Sequence, residues 1–116
     1  MPRYLSLFTP ARPPSGPPSP EHMAAMGKLM DEHMKAGKLI MTGGLKKRDG
    51  DGFIVTGEGG HYSVDDKPRS EWMLAGGWAI LQAPSRPDVI EDVKTFLNVV
   101  GDGRCEVIEL FEPPTP

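Results

Sequence analysis

A one-sided helix near the carboxyl end constrains this chain more than any other feature. Val89, Ile90, Val93, Phe96, Leu97 and Val100 recur at i, i+3/i+4 and i+7, so one stripe is apolar and the remainder polar. Such a helix has to lie on a sheet. Ser85-Arg-Pro-Asp88 opens it, with Ser85 and Asp88 spaced as a capping box. Gly101 and Gly103 end it, and Cys105 to Phe111 reads as the last strand.

A second helix is marked earlier. Ser19-Pro20-Glu21 supplies a hydroxyl cap, a proline in the first turn and an acid near the positive end of the dipole. It should run to about Ala36, with Gly37 as the left-handed stop. Around these helices, Tyr4 to Thr9, Leu39 to Thr42 and Gly77 to Leu81 read as short buried strands. Phe53 to Thr56 and His61 to Val64 flank Gly57-Glu-Gly-Gly60, a hairpin signal. Arg48-Asp-Gly-Asp-Gly52 is turn chemistry, and Asp65 to Leu74 is polar and irregular. The order is β-α-β, a hairpin, then β-α-β. Two helices that each need one face covered predict an α+β fold, a ferredoxin-like two-layer sandwich.

Length and composition bound the rest. The chain has 116 residues, the size of one domain, 1–116. Seven of its thirteen prolines lie in the first twenty residues, so 10–20 reads as a semi-extended loop, and 113–116 as a short proline-rich tail. The spacing Pro10-Ala-Arg-Pro13 also fits a docking peptide for an aromatic groove, which a loop between two structural elements makes the less favoured reading. Thirteen basic against sixteen acidic residues give a net charge of −3, and the one basic run, Lys46-Lys47-Arg48, meets Asp49 and Asp51 at once. No nucleic-acid platform is expected. Nor is a membrane helix or a cleaved leader, and the single Cys105 builds neither a disulfide framework nor a thiolate metal site. The expected setting is cytoplasmic.

The chain resembles the YCII-related superfamily, and within it the branch named for an Asp-Gly-Pro-Phe motif. The likeness rests on the short first strand, the Met-rich helix ending in Lys35-Ala-Gly37-Lys-Leu-Ile, and Thr42-Gly-Gly-Leu45. It continues through the hairpin closing on Val64-Asp65, Ala75-Gly-Gly-Trp78-Ala-Ile, and the strand Cys105-Glu-Val-Ile-Glu-Leu110. Where the branch reads Asp-Gly-Pro-Phe, this chain reads Asp65-Asp66-Lys67-Pro68. Members of the superfamily often carry a helix-one His near an Asp as a catalytic pair; that His position is Met26 here. The resemblance implies a homodimer of the dimeric α/β barrel type, two sheets facing each other, and no cofactor.

His22 and His33 are the sharpest candidate residues. Eleven residues is close to three turns, so their rings sit within about 20° on the helix, with Met26 and Leu29 between them. If that stripe faces the sheet, one imidazole can act as a general base in a partly apolar cleft. The plainer reading makes His22 a solvated first-turn residue and His33 a favourable charge at the carboxyl end. A shared metal is not expected, because ligands on one helix want i, i+3 or i+4. Met23, Met26, Met30 and Met34 form a stripe, read as an adaptable surface packed on the sheet or as a pocket wall.

Asp65, Asp66, Arg69 and Glu71, then Trp72, form a polar cluster on the motif loop. Asp65 is the candidate acid for His22 or His33, and Met26, Arg69 and Trp78 are candidate ligand contacts. The plainer reading is a solvated, charge-balanced connection, with Trp78 in the core or a dimer contact. His61 reads as a surface residue and Cys105 as a small buried hydrophobe. Gly57-Glu-Gly-Gly60 lacks the Lys-Ser/Thr of a phosphate loop, and Asp49-Gly-Asp51-Gly52 lacks the later ligands of a calcium loop.

Two functions follow. One is a cofactor-independent enzyme that moves a proton on a small organic molecule with a His/Asp pair. The other is a non-catalytic dimeric module that binds a small molecule or a protein in a regulatory role. A cofactor-free oxygenase rests on fold analogy alone.

Overall fold

The alternation of Tyr4, Ser6 and Phe8 with Leu5 and Leu7 sets the middle of the molecule. These residues lie in β1 (Arg3–Pro10) of a computed structural model that describes residues 1–12, 18–45, 52–66 and 75–111. The strand runs into α1 (Pro20–Lys35), β2 (Leu39–Gly44), β3 (Ile54–Glu58) and β4 (His61–Asp65). After these come β5 (Gly77–Gln82), α2 (Arg86–Val100) and β6 (Gly103–Glu109). Arg69, Glu71, Trp72, the basic run with its acidic turn, residues 13–17 of the proline-rich loop and the tail lie outside the described residues.

The fold is α+β, with two helices, a four-stranded antiparallel sheet in the order β2-β5-β1-β6, and a separate two-stranded ribbon, β3-β4. β1 and β2 are both antiparallel to the β5 between them, and β5 and β6 are both antiparallel to the β1 between them. Each helix therefore crosses over one intervening strand to reach a parallel partner. The expected β-α-β, hairpin, β-α-β order is present.

Strand register fixes which side chains meet the helices. Tyr4 stands opposite Leu81 and Glu109, Ser6 opposite Ala79 and Val107, and Phe8 opposite Gly77 and Cys105. Opposed residues share a face. Phe8 meets Phe96 of α2 edge to face, ring centres 5.5 Å apart and planes at 86°, so this is the helix side. Such a pair contributes roughly 0.5–1.5 kcal/mol beyond its burial. Leu5, Leu7, Trp78, Ile80 and Ile108 point the other way, where no helix lies. The tightest packing joins Tyr4, Ala83 and Val89, with Leu81 and Val93 against them.

Capping agrees with the sequence at α1 and departs from it at α2. Ser19 Oγ accepts the His22 amide at 3.1 Å, and Gly37 takes φ 74° just past the end. At α2 the expected capping box is not closed: Ser85 makes no side-chain cap bond. Its hydroxyl donates instead to Asp88 Oδ2 at 2.5 Å, which spends the cap on its neighbour. The ribbon turn is also tighter than expected. Only Gly59 and Gly60 form it, at φ 56° and 83°, the doubly positive pair of a two-residue hairpin, so Gly57 and Glu58 stay in β3. Gly103 begins β6 rather than ending α2, and a Cβ there would stand 2.6 Å from the Phe8 ring and from the Thr9 carbonyl.

Candidate functional site

Between α1 and the sheet lies a cavity of about 970 Å³. That is the upper end of what small-molecule sites enclose, roughly 300–1,000 Å³. Its origin is the sheet floor. Thr42 and Gly44 of β2, Gly77 and Ala79 of β5, and Ser6 of β1 all face the helices and all border the space. None of these has a side chain long enough to reach α1. The helix is held at its carboxyl end, where the Lys38 amide donates to the His33 carbonyl at 2.9 Å and Lys38 Nζ lies 3.4 Å from Asp92 Oδ1 of α2.

The wall contributed by α1 is His22, Met26, Leu29, Met30 and His33. At about 100° per residue these five span an arc of roughly 100°, with both histidines inside it. Met23 and Met34 fall just beyond that arc and are 61% and 46% exposed, so the methionine stripe divides into two lining residues and two surface ones. His22 and His33 are half-buried and stand about 16 Å apart along the axis, one near each end of the cavity. Among the described residues neither ring forms a hydrogen bond to a side chain or to the main chain.

The far wall is Val93, Phe96 and Val100 of α2. Among the described residues polar groups are few. Arg12, Asp102 and His22 border the space where β1 ends, and His33 and Asp92 border it where β2 begins. The Asp92 side chain is 15% exposed. On the floor, Thr42 Oγ1 donates to the Trp78 carbonyl at 2.8 Å, and Ser6 is buried. The Cys105 thiol is pushed up from its ordinary value by burial, partly offset by a hydrogen bond with Ser6. Tyr4, 5% exposed, is likewise raised, first by desolvation and then by Glu109.

The structure thus brings together His22, His33 and Met26 of the sequence candidates. Asp65 lies elsewhere, at the end of β4 on the ribbon, and is not among the residues that border the cavity. Among the described residues, the carboxylates that border it are Asp92 and Asp102. Trp78 contributes main chain to the floor. Its register, opposite Leu7 and Gly43, turns the indole to the helix-free face, where a Cβ on Gly43 would stand 2.7 Å from Nε1. Arg69 lies outside the described residues.

Sequence reading overlooked Asp92 and the small-residue floor. The available signal was Thr42-Gly43-Gly44 and Gly76-Gly77-Trp78-Ala79 in two strands beside a methionine-rich helix: small residues facing long, flexible ones leave a void that neither fills. Among the described residues no group of three or more His, Cys, Asp or Glu side chains is placed to hold a metal, and no helix is long and apolar enough to cross a membrane. Compared with known proteins, the chain matches no family model, and no curated protein matches it.

Proposed function

We propose that this chain is a YCII-related protein of ferredoxin-like, dimeric α/β barrel type that binds a small, largely apolar organic molecule between α1 and the sheet. The cavity itself carries this reading. A space of about 970 Å³ bordered by Met26, Met30, Phe8, Phe96 and Val93, with a few polar groups at its two ends, suits an organic ligand better than an ion or a phosphate. The strand order β2-β5-β1-β6, with both crossovers passing over one strand, supports the ferredoxin-like assignment. The helix-free face, with Met41 57% and Ile108 65% exposed, supports a homodimer.

A second reading, the cofactor-independent enzyme, is favoured by both imidazoles bordering one cavity with no hydrogen-bond partner among the described residues. In that reading His33 or His22 takes a proton from a bound carbon or oxygen acid. Asp65 remains the acid expected from sequence, and Asp92 is the carboxylate the cavity itself offers.

Titration with an environment-sensitive naphthalene sulfonate dye tests the binding reading. One dye per chain is expected, lost in Ala79→Leu, whose side chain grows into the cavity floor, and retained in Val55→Thr on the ribbon. Equal binding to both variants would remove the cavity from the function. For the enzyme reading, His22→Ala and His33→Ala should leave dye binding within a few-fold but abolish turnover of any substrate found. Full turnover in both would leave the binding module alone.

A further inference from the structure

The β3-β4 ribbon has two unlike faces. Val55 stands opposite Val64 and Gly57 opposite Tyr62, so Phe53, Val55, Tyr62 and Val64 fall on one side. The other side carries Ile54 with Asp65, Thr56 with Ser63, and Glu58 with His61. The apolar side is open: Phe53 is 61%, Val55 56%, Tyr62 79% and Val64 61% exposed. Gly57 is part of this design, because a Cβ there would stand 2.9 Å from the Tyr62 ring, and its absence lets the ring lie across the ribbon.

Nothing in the chain's own described residues covers this face. The two strands pair with each other, and no helix or strand of the four-stranded sheet makes more than marginal contact with them. A two-stranded hairpin is marginal in water on its own. The chain is correspondingly flat and open, 46 × 46 × 20 Å, with a radius of gyration of 16.4 Å. A compact chain of this length comes to about 13 Å.

We infer that the ribbon is an intersubunit arm, its Phe53-Val55-Tyr62-Val64 face seated on the helix-free sheet face of a second copy of this chain. The inference rests on the homodimer reading above and adds to its facing sheets a second contact, made by the ribbon of each copy. The two unpartnered apolar surfaces, ribbon and sheet, are carried by the same chain, so a two-fold axis satisfies both at once and closes the assembly. Four large ribbon side chains stand more than half exposed, and a stable interface of standard size takes roughly 800 Å² from each partner. The sheet face alone, with only Met41 and Ile108 more than half exposed, falls well short of that.

Sedimentation velocity and hydrogen exchange test this. Tyr62→Lys with Val64→Lys is expected to weaken the dimer by roughly tenfold or more, as loss of central apolar anchors does. Thr56→Lys, on the opposite side of the same ribbon, should leave it unchanged and controls for folding of the hairpin. In the wild-type protein, the amides of 54–58 and 61–65 should exchange more slowly as concentration rises through the dimerisation range. A dimer that tolerates Tyr62→Lys/Val64→Lys but is broken by Ile108→Lys, with ribbon amides exchanging equally fast at all concentrations, overturns the arm and leaves the homodimer standing. A wild-type chain that stays monomeric at every concentration overturns both.

Discussion

Two one-sided helices lie over one sheet in this protein, and they end differently. α2 closes: Val89 is 3% exposed against Tyr4 and Ala83, and Phe96 meets Phe8 ring to edge. α1 does not: each helix has one buried residue, Val89 in α2 and Leu29 in α1, but α1 borders the cavity along its whole inward face and α2 only from Asp92 onward. The helices are similar in length and both amphipathic, so the difference lies in what the strands put beneath them. Under α2, β1 raises Tyr4 and Phe8. Under α1, β2 and β5 offer Thr42, Gly44, Gly77 and Ala79. A void follows from the floor, not from the helix.

The largest test of that contrast is truncation on each side. Tyr4→Ala should cost about 3–5 kcal/mol in urea denaturation, the range for deleting a buried aromatic. Met30→Ala should cost under about 1 kcal/mol, because its side chain already borders open space. Equal costs would mean that the cavity closes in solution. Enlargement reverses the order: Ala83→Phe, at a site 2% exposed, should destabilise by about 1–3 kcal/mol through overpacking. Ala79→Leu should stay within about 1 kcal/mol of the parent while displacing the dye.

Smaller effects separate the two helix starts. Ser19→Ala removes a cap bond to the His22 amide and should cost about 1 kcal/mol. Ser85→Ala removes only a contact with Asp88 and should cost about half as much or less.

The last difference is one of pH. Tyr4 and Cys105, both on the helix side of the sheet, have folded-state values above their ordinary 10.0 and 9.0. The unfolded chain therefore loses these protons first as pH rises. Their contribution to stability is whole below about pH 9 and falls as pH climbs through 9 and then 10. Thermal melts between pH 7 and 11 should decline in that window, and Cys105→Ser with Tyr4→Phe should flatten the decline. Cys105 should also react with a disulfide reagent more slowly than a free thiol at pH 8, since less of it is thiolate.

Most of the fold was legible because local chemistry announced it. Ser19, Pro20 and Gly37 bracket α1 within a residue of where it lies, and the apolar period from Val89 to Val100 is α2. The hairpin was legible too, though the doubly positive φ of Gly59 and Gly60 shortened its turn. Half of the candidate site was legible. Helical spacing alone puts His22, Met26 and His33 on one arc, since rotation per residue is a local property. Asp65 as their partner was not a local matter: it depends on where a ribbon stands relative to a sheet, and the ribbon stands clear of the cavity.

By itself, then, the chain's sequence determined its elements, their order and the face each helix would bury, because caps, turns and periodicity act within a few residues. Only tertiary structure decided that the face of α1 would be left over a void, that Asp92 would border it, and that Trp78 would turn away. Those outcomes depend on which strands become neighbours and in what register. Register is set by contacts between residues far apart in the chain, such as Phe8 with Gly77 and Cys105.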